Sequence, residues 1–321
     1  MDIKIKHLSI TNFKGIKSLE LDFTYENSDK ILDNILFYGI NGSGKSTILE
    51  AIYICLSFIY DAKKNNNEKV INSYLPCNIL LNDDMIYNNE DKFKLSLHLV
   101  VNNEVITMLF TYYRKNSYKE FIYNPPLKYF PEDIIDEFTY LSSSRYLNPT
   151  NIYTPGNWNE IRQDKENNYS SVKQYLVSLI TDKKVETLSS KNEGILENIK
   201  KSFKIFFPEK EFLEKLSRTD DRKDYRLMIK NEDGSIVDLD QLSSGEREVI
   251  AFFTYLSIET NKNSILIIDE PELHLHSKWQ SIILYAIHKI FPNSQVFLAT
   301  HSSEIHQSAS ESELFELVKD N

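Results

Sequence analysis

The chain opens with two runs in which apolar and polar residues alternate, "IKIKHLSITNF" (3–13) and "IKSLELDF" (16–23), separated by Lys14-Gly15. A period of two predicts half-buried strands with the Lys-Gly step as the punctuation between them. "NILFYG" (34–39) is a short unbroken apolar run, the pattern of an entry strand. From Ser46 the spacing changes to three and four residues through Ile48, Leu49, Ile52, Leu56 and Ile59, which is the stripe of a helix. That helix fades into the polar tract "DAKKNNNEK" (61–69), read as a loop.

Further along, "KFKLSLHLVV" and "NNEVITMLFTYY" (92–113) predict a hairpin turning at Asn102-Asn103. "NPPLKYFPED" is a proline-broken connection, and "FTYLSSSRYL" (138–147) a strand and its exit. The stretch 146–240 changes character. It is polar first, then helical in "SSVKQYLVSLI" and "GILENIKKSFKIFF", and ends in a hairpin turning at Asp233-Gly234. No apolar heptad is sustained there, so no long coiled coil is expected. The chain then returns to strand and helix: "SILIIDE", "SKWQSIILYAIHKIF", "QVFLATH". This alternation predicts an α/β fold with a mixed or parallel sheet flanked by helices and ligands at the strands' carboxyl ends. The expected division is a sheet lobe of 1–145 with 241–321, and a small, mostly helical lobe over 146–240.

Composition narrows the setting. The 321 residues carry a net charge of −10, which argues against a surface broadly coated for nucleic-acid backbone while leaving room for a local basic patch. Two cysteines, Cys55 and Cys77, cannot make a disulfide framework and read as reduced thiols of a cytosolic protein. The N-terminus is a charged strand and not a signal peptide, and the greasiest run, "AIYICLSFIY" (51–60), is too short to span a bilayer. A cytoplasmic protein with no membrane partner is expected.

Four segments carry the chemistry. Gly39-Ile40-Asn41-Gly42-Ser43-Gly44-Lys45-Ser46, followed by Thr47, matches G-x-x-x-x-G-K-[ST] between a strand and a helix. Glycines let backbone amides turn inward as an anion nest, and the helix presents its positive N-terminus to the phosphate. Lys45 is expected to reach the β- and γ-phosphates, and the Ser46 hydroxyl to bind Mg²⁺. Much later, "LIIDE" buries aliphatics just before Asp269 and Glu270, which suits delivery of carboxylates to a parallel-sheet edge. Asp269 is expected to hold the Mg²⁺ and Glu270 to polarise the attacking water. "LSSGE" (242–246) precedes an apolar-periodic helix; Ser243 and Glu246 have capping-box spacing, yet the segment is also a second anion site. His301 ends a buried strand, where it could contact a γ-phosphate or simply be packed and hydrogen-bonded.

Phosphate loop, "LSSGE", "LIIDEPE" and "ATHS", in this order, resemble the ATP-binding-cassette ATPases. Ser243, Ser244, Gly245 and Glu246 resemble their signature motif, Asp269-Glu270 their second Walker motif, and His301 their switch histidine. "HLSITNFKGIKSLELDF" resembles the chromosome-maintenance and RecF-type branch, and "DEPELHLH" the RecF-like and OLD-type ATPases of DNA repair and phage defence. The fold implied is an ABC-type ATPase head. The departures are Ser244 for the commoner glycine, Glu246 for the transporters' glutamine and His276 at the D-loop aspartate position. Gln163 and Gln174 are candidates for the Mg²⁺-contacting glutamine. Arg145 is a candidate nucleotide contact against a surface ion pair, and Lys14 against a strand-edge lysine. His274 and His276 fit an intersubunit loop better than a metal site.

The resemblance implies a head-to-tail dimer or higher assembly with ATP and Mg²⁺ sandwiched between one copy's phosphate loop and the other's Ser243–Glu246 segment. About twenty residues follow His301, too few for the nuclease domain of OLD proteins, so the chain is expected to be an ATPase head alone. The expected function is an ATPase that senses or gates for a separately encoded effector, a nuclease or toxin, in phage defence. The alternative is a RecF-like clamp with DNA as the partner; a transporter cassette fits the N-terminal strands poorly.

Overall fold

A computed structural model describes residues 3–64, 81–130, 138–141, 167–218, 225–260, 265–273 and 275–318. Arg145, Gln163, His274 and Cys77 lie outside the described residues. The chain divides into two compact units, the first being Met1–Ser143, Thr260–Pro271 and Phe291–Asn321, the second Ser144–Glu259 and Glu272–Ile290.

The first unit begins with strands β1 (Ile3–Phe13), β2 (Ile16–Asp22) and β3 (Asn34–Tyr38), then helix α1 (Lys45–Lys64). β4 (Lys92–Val101), β5 (Glu104–Tyr113), β6 (Tyr118–Asn124) and β7 (Phe138–Leu141) follow. An antiparallel sheet has the order β2-β1-β4-β5-β6. The β4–β5 hairpin turns at Asn102 and Asn103, both at positive φ (50° and 70°), which asparagine tolerates better than most residues.

α1 explains the apolar run 51–60. A helix hydrophobic on all sides must be covered on all sides. α1 meets β4 and β5 of the antiparallel sheet and, through β11 and β12 described below, the parallel sheet. Phe58 packs on Phe110 and Phe121 at 4.6 and 4.8 Å, while Tyr53 packs on Tyr140 of β7 at 4.8 Å. The run is core, and no helix among the described residues is long and apolar enough to cross a membrane.

The second unit contains α2 (Asn167–Lys184), α3 (Ser190–Phe206), β8 (Glu211–Arg218), β9 (Tyr225–Lys230), β10 (Ile236–Asp238) and α4 (Ser244–Glu259). After β11 (Ile265–Asp269) of the first unit come α5 (Ser277–Gln280) and α6 (Ile283–Ile290). The helices carry a small antiparallel sheet, β10-β9-β8. β8 adds a strand to the expected hairpin: Phe212 is buried and pairs with Ile229. α3 packs on α4 through Phe206 and Phe253, rings 5.4 Å apart.

The chain closes with β12 (Gln295–Ala299), α7 (Ser303–Ser308) and β13 (Leu314–Glu316) in the first unit. The parallel sheet has the order β13-β3-β12-β11-β7. Every residue of β11 and β12 is buried, as unbroken apolar runs in a covered parallel sheet should be. This is the expected α/β architecture, with its parallel and antiparallel strands segregated into separate sheets.

One buried side chain joins the two sheets. β1 changes register between Ile5 and His7, so its apolar positions shift phase and backbone groups are left without ladder partners. Gln295, the first residue of β12, fills the gap. Its amide oxygen accepts the Ile5 N–H at 2.6 Å, and its amide nitrogen donates to the carbonyls of Ile5 and Leu32 at 2.9 and 3.0 Å. Gln295→Ala leaves three buried polar groups unpaired and should cost about 3–6 kcal/mol of unfolding free energy, measured by chemical denaturation. A cost under about 1 kcal/mol would show that Gln295 does not tie the sheets together.

Candidate functional site

The parallel register sets the site. Phe37 pairs with Ala299, and Ala299 with Asp269, so β3, β12 and β11 end at one edge of the sheet. The phosphate loop leaves from β3, Asp269-Glu270 from β11 and Thr300-His301 from β12. Side chains distant in sequence therefore meet without any loop having to reach across the fold.

The loop's glycines sit where other residues would be strained. Gly42 and Gly44 have φ of 78° and 97°, and at Gly39 (φ 145°) an added Cβ would stand 2.4 Å from the Leu317 carbonyl oxygen. Lys45 is 5% exposed, and its ammonium donates to the carbonyls of Gly39 and Ile40 at 2.8 and 3.0 Å. Those bonds hold a cation inside the loop, over the amino end of α1. Ser43 Oγ is buried without a hydrogen-bond partner, an orphaned polar atom that suits a phosphate oxygen. Asn41 and Gly42 are exposed at the loop tip, and Thr47 is half-buried in the first turn of α1.

Ser46 Oγ donates to Asp269 Oδ1 at 3.0 Å, and Asp269 is 3% exposed. A hydroxyl and a buried carboxylate side by side are the hard oxygen donors that Mg²⁺ takes. Beside them, Glu270 Oε1 lies 3.9 Å from His301 Nε2, within ion-pair reach but too long for a hydrogen bond. His301 is held from both sides along the chain. The buried Thr300 donates its N–H to the Phe37 carbonyl, and Ser302 caps α7 by accepting the Ile305 N–H.

Glu270 itself is at φ +48°, the left-handed region, and precedes Pro271. Its N–H donates to the Ala299 carbonyl at 2.8 Å, which fixes the turn. A non-glycine residue held there stores strain, which gathers at sites where a side chain must point in one direction.

Lys14 forms an ion pair with Glu50, one helical turn beyond Ser46. Gln174 is exposed on α2 in the second unit, and His276 is the N-cap of α5, its Nδ1 accepting the Lys278 N–H. The Ser243–Glu246 segment also belongs to the second unit, at the start of α4.

In that segment the capping box is formed. Glu246 Oε2 accepts the Ser243 N–H and hydroxyl, each at 2.8 Å, while Ser243 Oγ accepts the Glu246 N–H at 3.3 Å. Glu246 Oε1 accepts from the Lys210 ammonium at 2.6 Å. Lys210 is absent from the sequence reading of the site. It lies 36 residues away in a proline-containing connection, and no local pattern links it to α4. Ser243 and Ser244 remain exposed, with Gly245 half-buried.

A model of the family described as "AAA domain, putative AbiEii toxin, Type IV TA system" matches residues 35–305, from the strand before the phosphate loop to beyond His301. The chain belongs to this family of AAA domains. A retron Vc95 probable ATPase of Vibrio cholerae serotype O1 biovar El Tor is 27% identical over 94% of the chain and 70% of its own length. A Septu protein PtuA of Bacillus mycoides strain KBAB4 is 24% identical over 93% of the chain; the chain spans only 38% of that protein. Among solved structures, the SMC head domain from Thermotoga maritima superposes with a TM-score of 0.57 at 16% identity, covering 100% of this chain and 96% of that one. The fold is that of an ABC-type ATPase head.

Two consequences follow from the geometry. Asparagine accepts the left-handed region more readily than glutamate, so Glu270→Asn should stabilise the protein by about 1 kcal/mol in denaturant unfolding. No gain would mean that the turn at Glu270 carries no strain.

At Glu246, burial raises the carboxyl pKa, but the Lys210 ammonium and the two bonds from Ser243 outweigh it and hold the pKa below the ordinary value. A depressed folded-state pKa stabilises above the unfolded value and loses that contribution as pH falls through the folded one. The stability gap between wild type and Glu246→Gln should therefore be widest near neutral pH and close below the ordinary carboxylate range, measured by thermal unfolding across pH. A pH-independent gap would show that the carboxylate's charge does not stabilise this turn.

Proposed function

We propose that the chain binds and hydrolyses ATP, pairs head-to-tail around it, and regulates a separately encoded effector in anti-phage defence. The observation that carries the ATPase reading is the convergence at one sheet edge. The Ser46 hydroxyl stands 3.0 Å from Asp269, with Glu270 and His301 3.9 Å apart beside them.

In this reading the loop amides, the α1 N-terminus and Lys45 bind the phosphates of ATP. Ser46 and Asp269 would hold Mg²⁺, which would supply positive charge to offset that of the phosphates. Glu270 accepts a proton from the water that attacks the γ-phosphorus. The bond to the β–γ bridging oxygen breaks as the new P–O bond forms, leaving ADP and phosphate. His301 donates towards the transferring phosphoryl oxygens. Ser243, Ser244, Gly245 and Glu246 present the amino end of α4 to the nucleotide of a second copy. ATP thereby becomes part of an interface, and hydrolysis removes the contact.

The setting rests on the names of the relatives, which belong to retron and Septu systems, and on the family description, which names a toxin. An effector of nuclease or toxin type, supplied by another gene, is the partner this reading requires.

Glu270→Gln should retain ATP binding while turnover falls by at least about 100-fold, the usual contribution of a general base. In solution-mass measurements that protein should grow from its apo mass to twice that mass, or a larger multiple, on addition of Mg·ATP. Lys45→Ala should stay at its apo mass. A Glu270→Gln protein that binds ATP without any change of mass would sink ATP-driven pairing, and fast hydrolysis by it would remove Glu270 from its role.

A further inference from the structure

The amino end of α4 already holds an anion belonging to the chain itself. Glu246 takes both the N–H and the hydroxyl proton of Ser243, the serine that the head-to-tail reading turns towards a second copy's nucleotide. A helix N-terminus attracts phosphate through its exposed amides and dipole. A carboxylate held at the cap residue just before those amides works against it, because like charges repel across a few ångströms. Glu246 at this place would weaken the site unless its charge were compensated.

Lys210 supplies the compensation. Its ammonium lies 2.6 Å from Glu246 Oε1, the oxygen that Ser243 does not use, and both side chains are largely buried. The fold brings it there: α3 ends at Phe206, which packs on Phe253 of α4, and Phe207 packs on Trp279 at 5.3 Å. The Phe203 carbonyl accepts the Phe207 N–H and the Phe207 carbonyl accepts the Lys210 N–H, so the connection out of α3 turns Lys210 back onto α4.

We infer that Lys210 is a positioning residue for nucleotide engagement: it pins and neutralises Glu246 so that the Ser243–Gly245 segment can accept a second copy's γ-phosphate. The inference rests on the head-to-tail reading of the previous subsection. Lys210 touches no reacting atom; it acts through Glu246. Losing the cation leaves an uncompensated carboxylate facing the phosphate, a fault that removing the carboxylate's charge should cure.

The experiment uses Glu270→Gln as parent and compares it with versions also carrying Lys210→Met or Lys210→Met with Glu246→Gln. Two quantities are read: the ATP affinity of the isolated copy at low protein concentration, and the protein concentration at which Mg·ATP drives association. Lys210→Met should leave ATP affinity within about 2-fold, which also shows that the protein is folded, and raise the association concentration at least about 10-fold. Adding Glu246→Gln should recover most of that loss. A merely structural lysine would give no such rescue.

Association of Lys210→Met at the parent's concentration would overturn the inference while leaving head-to-tail pairing intact. Failure of Glu246→Gln to rescue would overturn it too, since the lesion would then not be the bare carboxylate. A parent that binds ATP and never associates would overturn the pairing reading and this inference together.

Discussion

The structure of the first unit depends on one constraint: α1 is apolar on every side, yet its first residues must lie at a polar, ligand-accessible edge. The helix buries Ile48, Leu49, Ile52, Leu56, Phe58 and Ile59 between two sheets, and begins at Lys45 where the parallel sheet ends. A helix that surfaced along one face would not need the antiparallel sheet. Covering it on both sides fixes the layering, and the layering holds the phosphate loop at the carboxyl ends of β3, β12 and β11. Gln295 is the polar counterpart of that packing, satisfying the backbone of the irregular strand β1 from the neighbouring sheet.

Around that frame, the candidate site is assembled from short-range devices. Glycines at positive φ shape the loop, Lys45 bonds to the loop's own carbonyls, and a left-handed Glu270 turns the chain immediately after a fully buried strand. Each shapes or charges the end of a rigid element, at the edge where ATP is proposed to bind. Rigidity of this kind favours electrostatic catalysis, because the dipoles are oriented before the charge develops.

The α4 segment shows how one local motif serves two roles. As a capping box, Ser243 and Glu246 start a helix whose apolar face buries Val249, Ile250 and Phe253. As a surface, the same turn exposes Ser243 and Ser244. The capping and the anion-site readings of "LSSGE" are thus compatible: the cap fixes the backbone of the turn while leaving Ser243 and Ser244 exposed, and Lys210 bonds to the carboxylate that the cap uses.

Most of the architecture was written in patterns of short range. Alternation gave the early strands, three- and four-residue spacing gave α1, Asn102-Asn103 and Asp233-Gly234 gave the turns, and the glycine, lysine and acidic motifs located the candidate site. These features depend on a few consecutive residues, whose backbone preferences and periodicity are local properties. Nothing local indicated β6, β8 or β13, whose existence depends on the neighbour each pairs with. Lys210 beside Glu246, Gln295 against Ile5 and the register that aligns Asp269 with Ala299 were likewise decided only in three dimensions. Contacts between residues 30 to 290 positions apart arise from helix packing and sheet order, and no periodicity in the sequence encodes a distance across the fold.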